Sequence, residues 1–581
     1  MMKALKHIYT CLFIFTLLSY AAAQHPEQSL QGAKSVLDKV FEEKAAYDKA
    51  RSNRIFPDVL ADAQNEHAAF LKSLLGRLAI IDLSVLSVTD RINYEVFTYV
   101  LKDEVDRVAL EEYLIPFNAE GGFYNSLTFR VNRQFQSGKS YRDYNKMLAA
   151  YPQYMRDNMQ LMSTGMEKGK VSPRLIAANY QVLIAPFLEK AGEGHLLLSP
   201  YQQPPVGVSP DSLDYFKSET FKLIQEAIIP AYQAFDRFMK EEYLPATRDG
   251  IGIAEIPDGR NLYEQRIAFY TSLPLKPVDV FEKGQAEVVR IRKEMEGIIA
   301  ETGFEGDFTA FLEFLRTDPQ FYHTEPRALL MEAAYLAKRI DGLLPRYFKT
   351  LPRLPYGITP VPASIAPNYT AGRYSSGSYE NHRAGQYWVN TYKLESRPLY
   401  ALPALTLHEA VPGHHLQMAL AQEQEGLPEF RNSVYLSAFG EGWALYTEFL
   451  GKEMGIYTTP YEHFGRMTYE MWRACRLVVD VGMHYYGWSR EKALDFLSSN
   501  TALSLHECET EINRYIGWPG QAVSYKIGEL TIRELRHQAE QALGAAFDLR
   551  EFHDVVLRNG SIPLYVLKEV VQDYIDGKQG G

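Results

Sequence analysis

Apolar residues recur every three to four positions along most of the chain, the period of helices that lay one face on a core. In VDVFEKGQAEVVRIRKEMEGIIAE, beginning at Val278, the residues Phe281, Val288, Ile291, Met295 and Ile298 fall on one stripe with charges opposite. The same pattern predicts helices over 35–50, 212–243 and 491–501. Residues 351–403 depart from it, being rich in Pro, Gly, Ser and Tyr. Within them Gln386-Tyr387-Trp388-Val389-Asn390-Thr391-Tyr392 alternates β-formers, which predicts a short strand. The expected fold class is therefore mainly α, with a small β element. At about 150 residues per domain the length would give three or four domains. No Gly/Ser linker, low-complexity tract or repeat divides the sequence, so residues 24–581 read as one unit with room for two lobes.

The N-terminus changes the picture of where the chain works. MMKALKHIYTCLFIFTLLSYAAAQ carries two lysines, an apolar run from Cys11 to Leu18 and then Ala21-Ala22-Ala23. That is the pattern of a secretory signal over residues 1–23, cut before Gln24. A retained membrane anchor is the alternative, although Cys11 opens the apolar run and lacks a lipidation context. No other stretch approaches the ~20 apolar residues of a membrane span. The expectation is an exported protein, periplasmic or extracellular, without stable membrane insertion.

Charge removes one class of partner. The formal net charge of −11 becomes −13 once Lys3 and Lys6 leave with the signal, and no Lys/Arg cluster offers a basic face. A nucleic-acid partner is thereby excluded, since such binding displaces counterions with basic side chains. Two cysteines, Cys475 and Cys508, remain after removal of Cys11, too few to staple a chain of this length; 46% hydrophobic residues supply a core instead. Whether those two pair is not set by their spacing.

Candidate chemistry centres on LHEAVPGHHLQ, residues 407–417. It begins as the H-E-x-x-H helix of zinc peptidases, but Pro412 stands where the second histidine belongs. In a straight helix His408 and His414 would lie about 9 Å apart along the axis and on different faces. Two nitrogens on one zinc must come within roughly 3.5 Å. Pro412 has no N–H for the carbonyl of residue 408, and Gly413 tolerates the resulting backbone. Looping out Pro-Gly restores a one-turn relation between His408 and His414. A one-residue difference in that bulge would present His415 instead, and both remain open here. Catalytic zinc usually takes three protein ligands; Glu441, in SAFGEGWALYTEF, is the third candidate, and Glu448 a partner for a histidine N–H. Glu409 is the general base. Tyr525 and His484 are candidate donors to a developing oxyanion. Arg514 and Arg476 are candidates for pairing a substrate carboxylate, or for a salt bridge with Glu511 or Asp480. The strand of Tyr387 and Asn390 is a candidate edge for an extended peptide.

HEAVPGHHLQ, GEGWALY, RLVVDVGMH and RYIGWPGQAVSYKIG, in this order, resemble the family known as DUF885, grouped with gluzincin-like metallopeptidases. The resemblance spans most of the chain and is strongest from about Tyr387 to Arg533. It implies a helical, clam-like peptidase with a deep central channel and one zinc per chain. The metal would sit on His408, His414 and Glu441, with Glu409 as base and short peptides as substrates. Hydrolysis of a non-peptide amide, lactam or ester is the second reading, and a non-catalytic secreted binding protein of the same fold the third.

Overall fold

The computed structural model describes residues 30–580 apart from 132–134, 191, 206, 364 and 380. The signal segment and its cleavage point lie outside the described residues. Of the described residues 71% are helical and few lie in strands, about twice the helical share of ordinary globular domains, so the fold is mainly α. No helix among the described residues is long and apolar enough to cross a membrane.

The periodic segments form the expected helices. The stripe at 35–50 becomes α1 (Leu30–Ser52), burying Ala33, Leu37 and Val40. The segment 212–243 lies in a helical rod over residues 210–246 that widens into π-turns at Ile224–Ile228 and Met239–Tyr243. Each widening comes just before a proline, Pro230 or Pro245, whose ring and missing N–H disturb the preceding turn. The stripe from Val278 is α2 (Pro277–Thr302), with Ile291, Met295 and Ile298 buried. Residues 490–500 are helical as well.

Six further elements carry the site. They are α3 (Leu402–Glu409), α4 (His414–Gln422), α5 (Ser437–Glu453), α6 (Pro460–His484), α7 (Leu505–Gly517) and α8 (Ser524–Leu543). A capping box opens α6: Thr459 Oγ1 accepts from the Glu462 N–H and Glu462 Oε2 from the Thr459 N–H, with Pro460 at the first helical position. From Phe464 to His484 every residue of α6 is buried. It packs along α2, where a Cβ on Gly284 would stand 2.6 Å from Leu477 Cβ; glycine lets the two backbones approach.

Strands are few. Phe117–Asn118 (β1) and Gly121–Gly122 (β2) form a small hairpin. Tyr356–Pro360 (β3), Gly372–Ser375 (β4) and Gly385–Val389 (β5) form a sheet of order β3-β5-β4, with β5 parallel to β3 and antiparallel to β4. The α3–α4 segment lies at the seam of two apolar clusters: Leu402, Leu405 and Ala410 belong to one, and Leu407, Val411 and Leu416 to the other. Packing on both sides leaves its backbone little freedom. Cys475 and Cys508 are buried free thiols and are not joined.

Candidate metal centre

Between α3 and α4 the helix is interrupted over residues 410–413, and the Val411–Pro412 peptide is cis. New bonds fasten the bulge in place of the lost ladder. The His415 N–H donates to Ala410 O at 3.1 Å. From α5, Trp443 Nε1 donates to Pro412 O at 2.8 Å and Thr447 Oγ1 to Leu407 O at 3.0 Å. Gly413 is required by proximity, because a Cβ there would stand 1.9 Å from His408 O and 2.4 Å from Leu407 O.

This fold-back brings the rings of His408 and His414 to 4.8 Å, centroid to centroid, at 88°. Glu441 Oε2 lies 3.5 Å from His408 Nε2 and 3.3 Å from His414 Nε2. All three donor atoms fall within 4.8 Å of one another. A tetrahedral ion bonded at about 2.0–2.2 Å separates its ligand atoms by about 3.3–3.6 Å. The triad therefore fits one such ion with little adjustment. His415 turns the other way, its Nδ1 2.9 Å from Tyr374 Oη and its ring 4.5 Å from that of Tyr356; of the two neighbouring histidines, the bulge presents His414.

The surroundings orient the triad. His408 Nδ1 lies 2.7 Å from Glu448 Oε1; with a proton held on Nδ1, Nε2 is the nitrogen available to an ion. Arg473 Nη2 approaches the same Glu448 oxygen at 3.4 Å. Burial lowers the His408 pKa, but the bonds to Glu441 and Glu448 outweigh it and raise it to about 9. Burial opposes charge on Glu441 in turn, and His414 and His408 hold its carboxyl well below the usual range. Tyr435 Oη donates to Glu441 Oε1 at 3.0 Å. His414 Nδ1 is buried without a partner among the described residues.

The glycines flanking Glu441 act through packing. A Cβ on Gly440 would lie 2.5 Å from the Tyr435 ring, so its absence makes room for the tyrosine that bonds Glu441. A Cβ on Gly442 would lie 2.5 Å from Gly528 Cα, where α5 crosses α8.

Glu409, at the end of α3, is fixed from the sheet: its Oε2 accepts the Tyr374 N–H at 2.7 Å. No hydrogen bond engages its Oε1 among the described residues. Tyr525 is half-buried; burial raises its pKa and the Glu441 charge adds to the effect, so its ring stands within the field of the triad. The Arg476 guanidinium lies 4.1 Å from the centre of that ring.

The other sequence candidates are engaged within the protein. His484 is fully buried with both nitrogens engaged, Nδ1 accepting from the Ile253 N–H at 3.1 Å and Nε2 donating to Tyr515 O at 2.9 Å, so it has no donor for a substrate. Arg476 and Arg514 both pair with Glu511, at 2.9 and 3.0 Å, the salt bridge that is the alternative reading of these two. Tyr387 is fully buried, 3.3 Å from Thr406 Oγ1. Asn390 is buried and gathers a loop, its amide donating to the carbonyls of Ala366, Tyr369 and Thr370. Their strand, β5, is paired on both sides and is no edge; the edge nearest the triad is β4.

Sequence reasoning missed Tyr435, Tyr374, Trp443 and Arg473 as partners of the site. A signal for the last was present: Arg466, Glu470, Arg473, Arg476, Asp480 and His484 recur at three- to four-residue spacing through the otherwise apolar α6. A buried polar stripe of that kind marks partners across the core. A cavity of about 30 Å³ lies beside α3, lined by Leu402, Leu405, Asn390, Arg397, Thr468 and Glu507 among others. It has room for about two water molecules and is not a peptide channel.

The fold is similar to the crystal structure titled "the putative lipoprotein from Colwellia psychrerythraea", with a TM-score of 0.87 and 26% identity, covering 95% of this chain and 100% of that one. It is also similar to "a putative lipoprotein of unknown function from Shewanella oneidensis", with a TM-score of 0.69 and 19% identity over 94% of this chain and 100% of that one. At the lower identity the likeness shows the fold alone. No curated protein matches the chain. The profile of the family described as "Bacterial protein of unknown function (DUF885)" matches residues 43–571, and the chain belongs to that family.

Proposed function

We propose that this chain is an exported, zinc-dependent hydrolase of the gluzincin peptidase type, cleaving amide bonds of short peptides. One observation carries the reading: the convergence of His408, His414 and Glu441 beside a glutamate held in place by a strand amide. Export is supported by the basic and apolar segment at residues 1–23 and by the likeness to a protein titled a lipoprotein.

His408, His414 and Glu441 would hold the ion, which when bound supplies an acidified water and polarises a carbonyl. Glu409 takes the water's proton on Oε1, the oxygen left free when Tyr374 holds Oε2, and returns it to the departing nitrogen. Glu448 keeps the His408 ring turned toward the triad. The substrate backbone lies along β4. The Asn390 N–H donates to Ala371 O at 2.9 Å, which sets the pairing so that Gly372 and Tyr374 turn their backbone groups away from β5. The Tyr525 hydroxyl is the protein's donor to the developing oxyanion.

The test uses the zinc-loaded mature protein and a pool of short peptides. New amines should appear with wild type and be absent with Glu409→Gln at equal zinc content. Loss of a lactam or ester with every peptide intact would move the reading to another substrate class, and a zinc-loaded protein that hydrolyses nothing would overturn it.

A further inference from the structure

Arg476 and Arg514 pair with Glu511, and Arg473 with Glu448. The guanidinium of Arg373 forms no ion pair among the described residues. Arg373 is on β4, next to the residue whose amide fixes Glu409. Side chains alternate along a strand. That of Tyr374 goes to the buried side, against His415, which sends Arg373 to the opposite, exposed side.

The space that Arg373 enters is identified by its neighbours. Its guanidinium sits 5.5 Å from the centre of the Tyr369 ring. Burial works against its charge, while Tyr369, Glu120, Tyr525 and Glu409 favour it. Tyr525 in turn feels Glu441, and Tyr369 feels Glu409. Arg373 is thus one residue from the strand amide that holds the base and shares the field of the base and of Tyr525. Glu120, exposed at the turn between β1 and β2, is within its field without pairing to it. The planar fork of arginine, steadied by an aromatic face, is matched to a carboxylate through two parallel hydrogen bonds.

We propose that Arg373 binds the free C-terminal carboxylate of the substrate, so that the enzyme acts on peptides whose chain ends a short way beyond the cleaved bond. This rests on the peptidase reading above. It accounts for an unpaired cation beside a carboxylate-rich site, and it sets a limit on substrate length without a side-chain pocket.

The test is calorimetric titration of zinc-loaded Glu409→Gln protein with acetyl-trialanine as the free acid and as the C-terminal amide. A third ligand is an amidated acetyl-tripeptide whose central residue is glutamate. The acid should bind about ten- to a hundred-fold tighter than the amide, the range for a charge-assisted pair. Arg373→Gln should erase that preference, and Arg373→Lys should keep part of it. Melting temperatures of both variants check that the exposed substitution leaves the fold intact. Equal binding of acid and amide, or a preference that survives Arg373→Gln, would overturn the proposal. Equally tight binding of the glutamate-containing amide would transfer the site to an acidic side chain and overturn the terminal assignment. Should the native enzyme cut no peptide while Arg373-dependent binding persists, the peptidase reading fails and the carboxylate site stands. Equal cutting of acid and amide by both wild type and Arg373→Gln leaves the peptidase reading standing and removes this one.

Discussion

Glu409 Oε2 and the backbone N–H of Tyr374 are joined by a 2.7 Å hydrogen bond that ties the end of α3 to the edge strand of the sheet. The bond fixes one carboxylate oxygen and leaves the other directed by the same plane, so the base and the edge strand have a set mutual geometry. Such preorganisation is the structural requirement for proton transfer at a bound substrate.

Glu409→Gln keeps the shape of the side chain and an oxygen for the Tyr374 N–H but cannot take a proton. Zinc content and melting temperature should match wild type, while turnover falls by about 10²–10⁴-fold. Unchanged turnover at full zinc occupancy would remove Glu409 from the mechanism.

Glu448→Gln weakens the partner that holds His408 Nδ1 at 2.7 Å. Zinc affinity, read by competition with a chelator, should fall about 10- to 100-fold. Arg473, buried beside the same carboxylate, loses its counter-charge. A stability loss on the order of 1–3 kcal/mol should accompany the weaker binding. Zinc affinity equal to wild type would show that the pair does not orient the ligand.

Two glycine-to-alanine changes should act in opposite directions. At Gly413 the new methyl meets His408 O at 1.9 Å, so the bulge must open. The expected cost is about 1–3 kcal/mol, together with weakened metal binding. At Gly297, exposed on α2, nothing lies within 4 Å of an added Cβ. Alanine there should stabilise by about 0.5–1 kcal/mol through helix propensity. Chemical denaturation of both variants reads the two signs directly.

His553 gives the fold a pH dependence away from the metal centre. It is fully buried, Nδ1 donating to Tyr347 O and Nε2 accepting from Tyr446 Oη, both at 2.8 Å. Burial lowers its pKa to about 3. Below the ~6.5 of an unfolded histidine, the unfolded chain binds a proton that the folded chain refuses. The contribution of this residue is therefore fully present above about 6.5 and is lost as the pH falls toward 3. Denaturant midpoints between about pH 5 and 7 should decline with falling pH, and His553→Gln should flatten the slope by up to about 1.4 kcal/mol per pH unit. An identical slope in the variant would rule this histidine out.

The helical frame was legible because a 3.6-residue period states which face is buried, and the stripes on α1 and α2 need no distant partner to be read. The bulge was legible for a similar reason: Pro412 and Gly413 are local breakers with a defined effect. The choice of His414 over His415 was not, since it depends on Trp443 and Thr447 reaching across from α5. Residue type marked Arg476 and His484 as capable of chemistry, but their partners Glu511, Ile253 and Tyr515 come from other elements; the Arg514–Glu511 pair, three residues apart on α7, is local and legible in the sequence. The alternation of β5 is the clearest of the three strands, which makes it the candidate edge in the sequence. The flanking strands β3 and β4, in a Gly- and Pro-rich stretch, show too little alternation to reveal that they cover it on both sides.

The most direct measurement is the zinc content of the purified mature protein and its histidine variants by elemental analysis. The account predicts about one zinc per chain in wild type and in His415→Ala, and loss of that zinc in His408→Ala and His414→Ala. A wild-type protein without bound metal, or one that loses its zinc with His415→Ala and keeps it with His414→Ala, would contradict it.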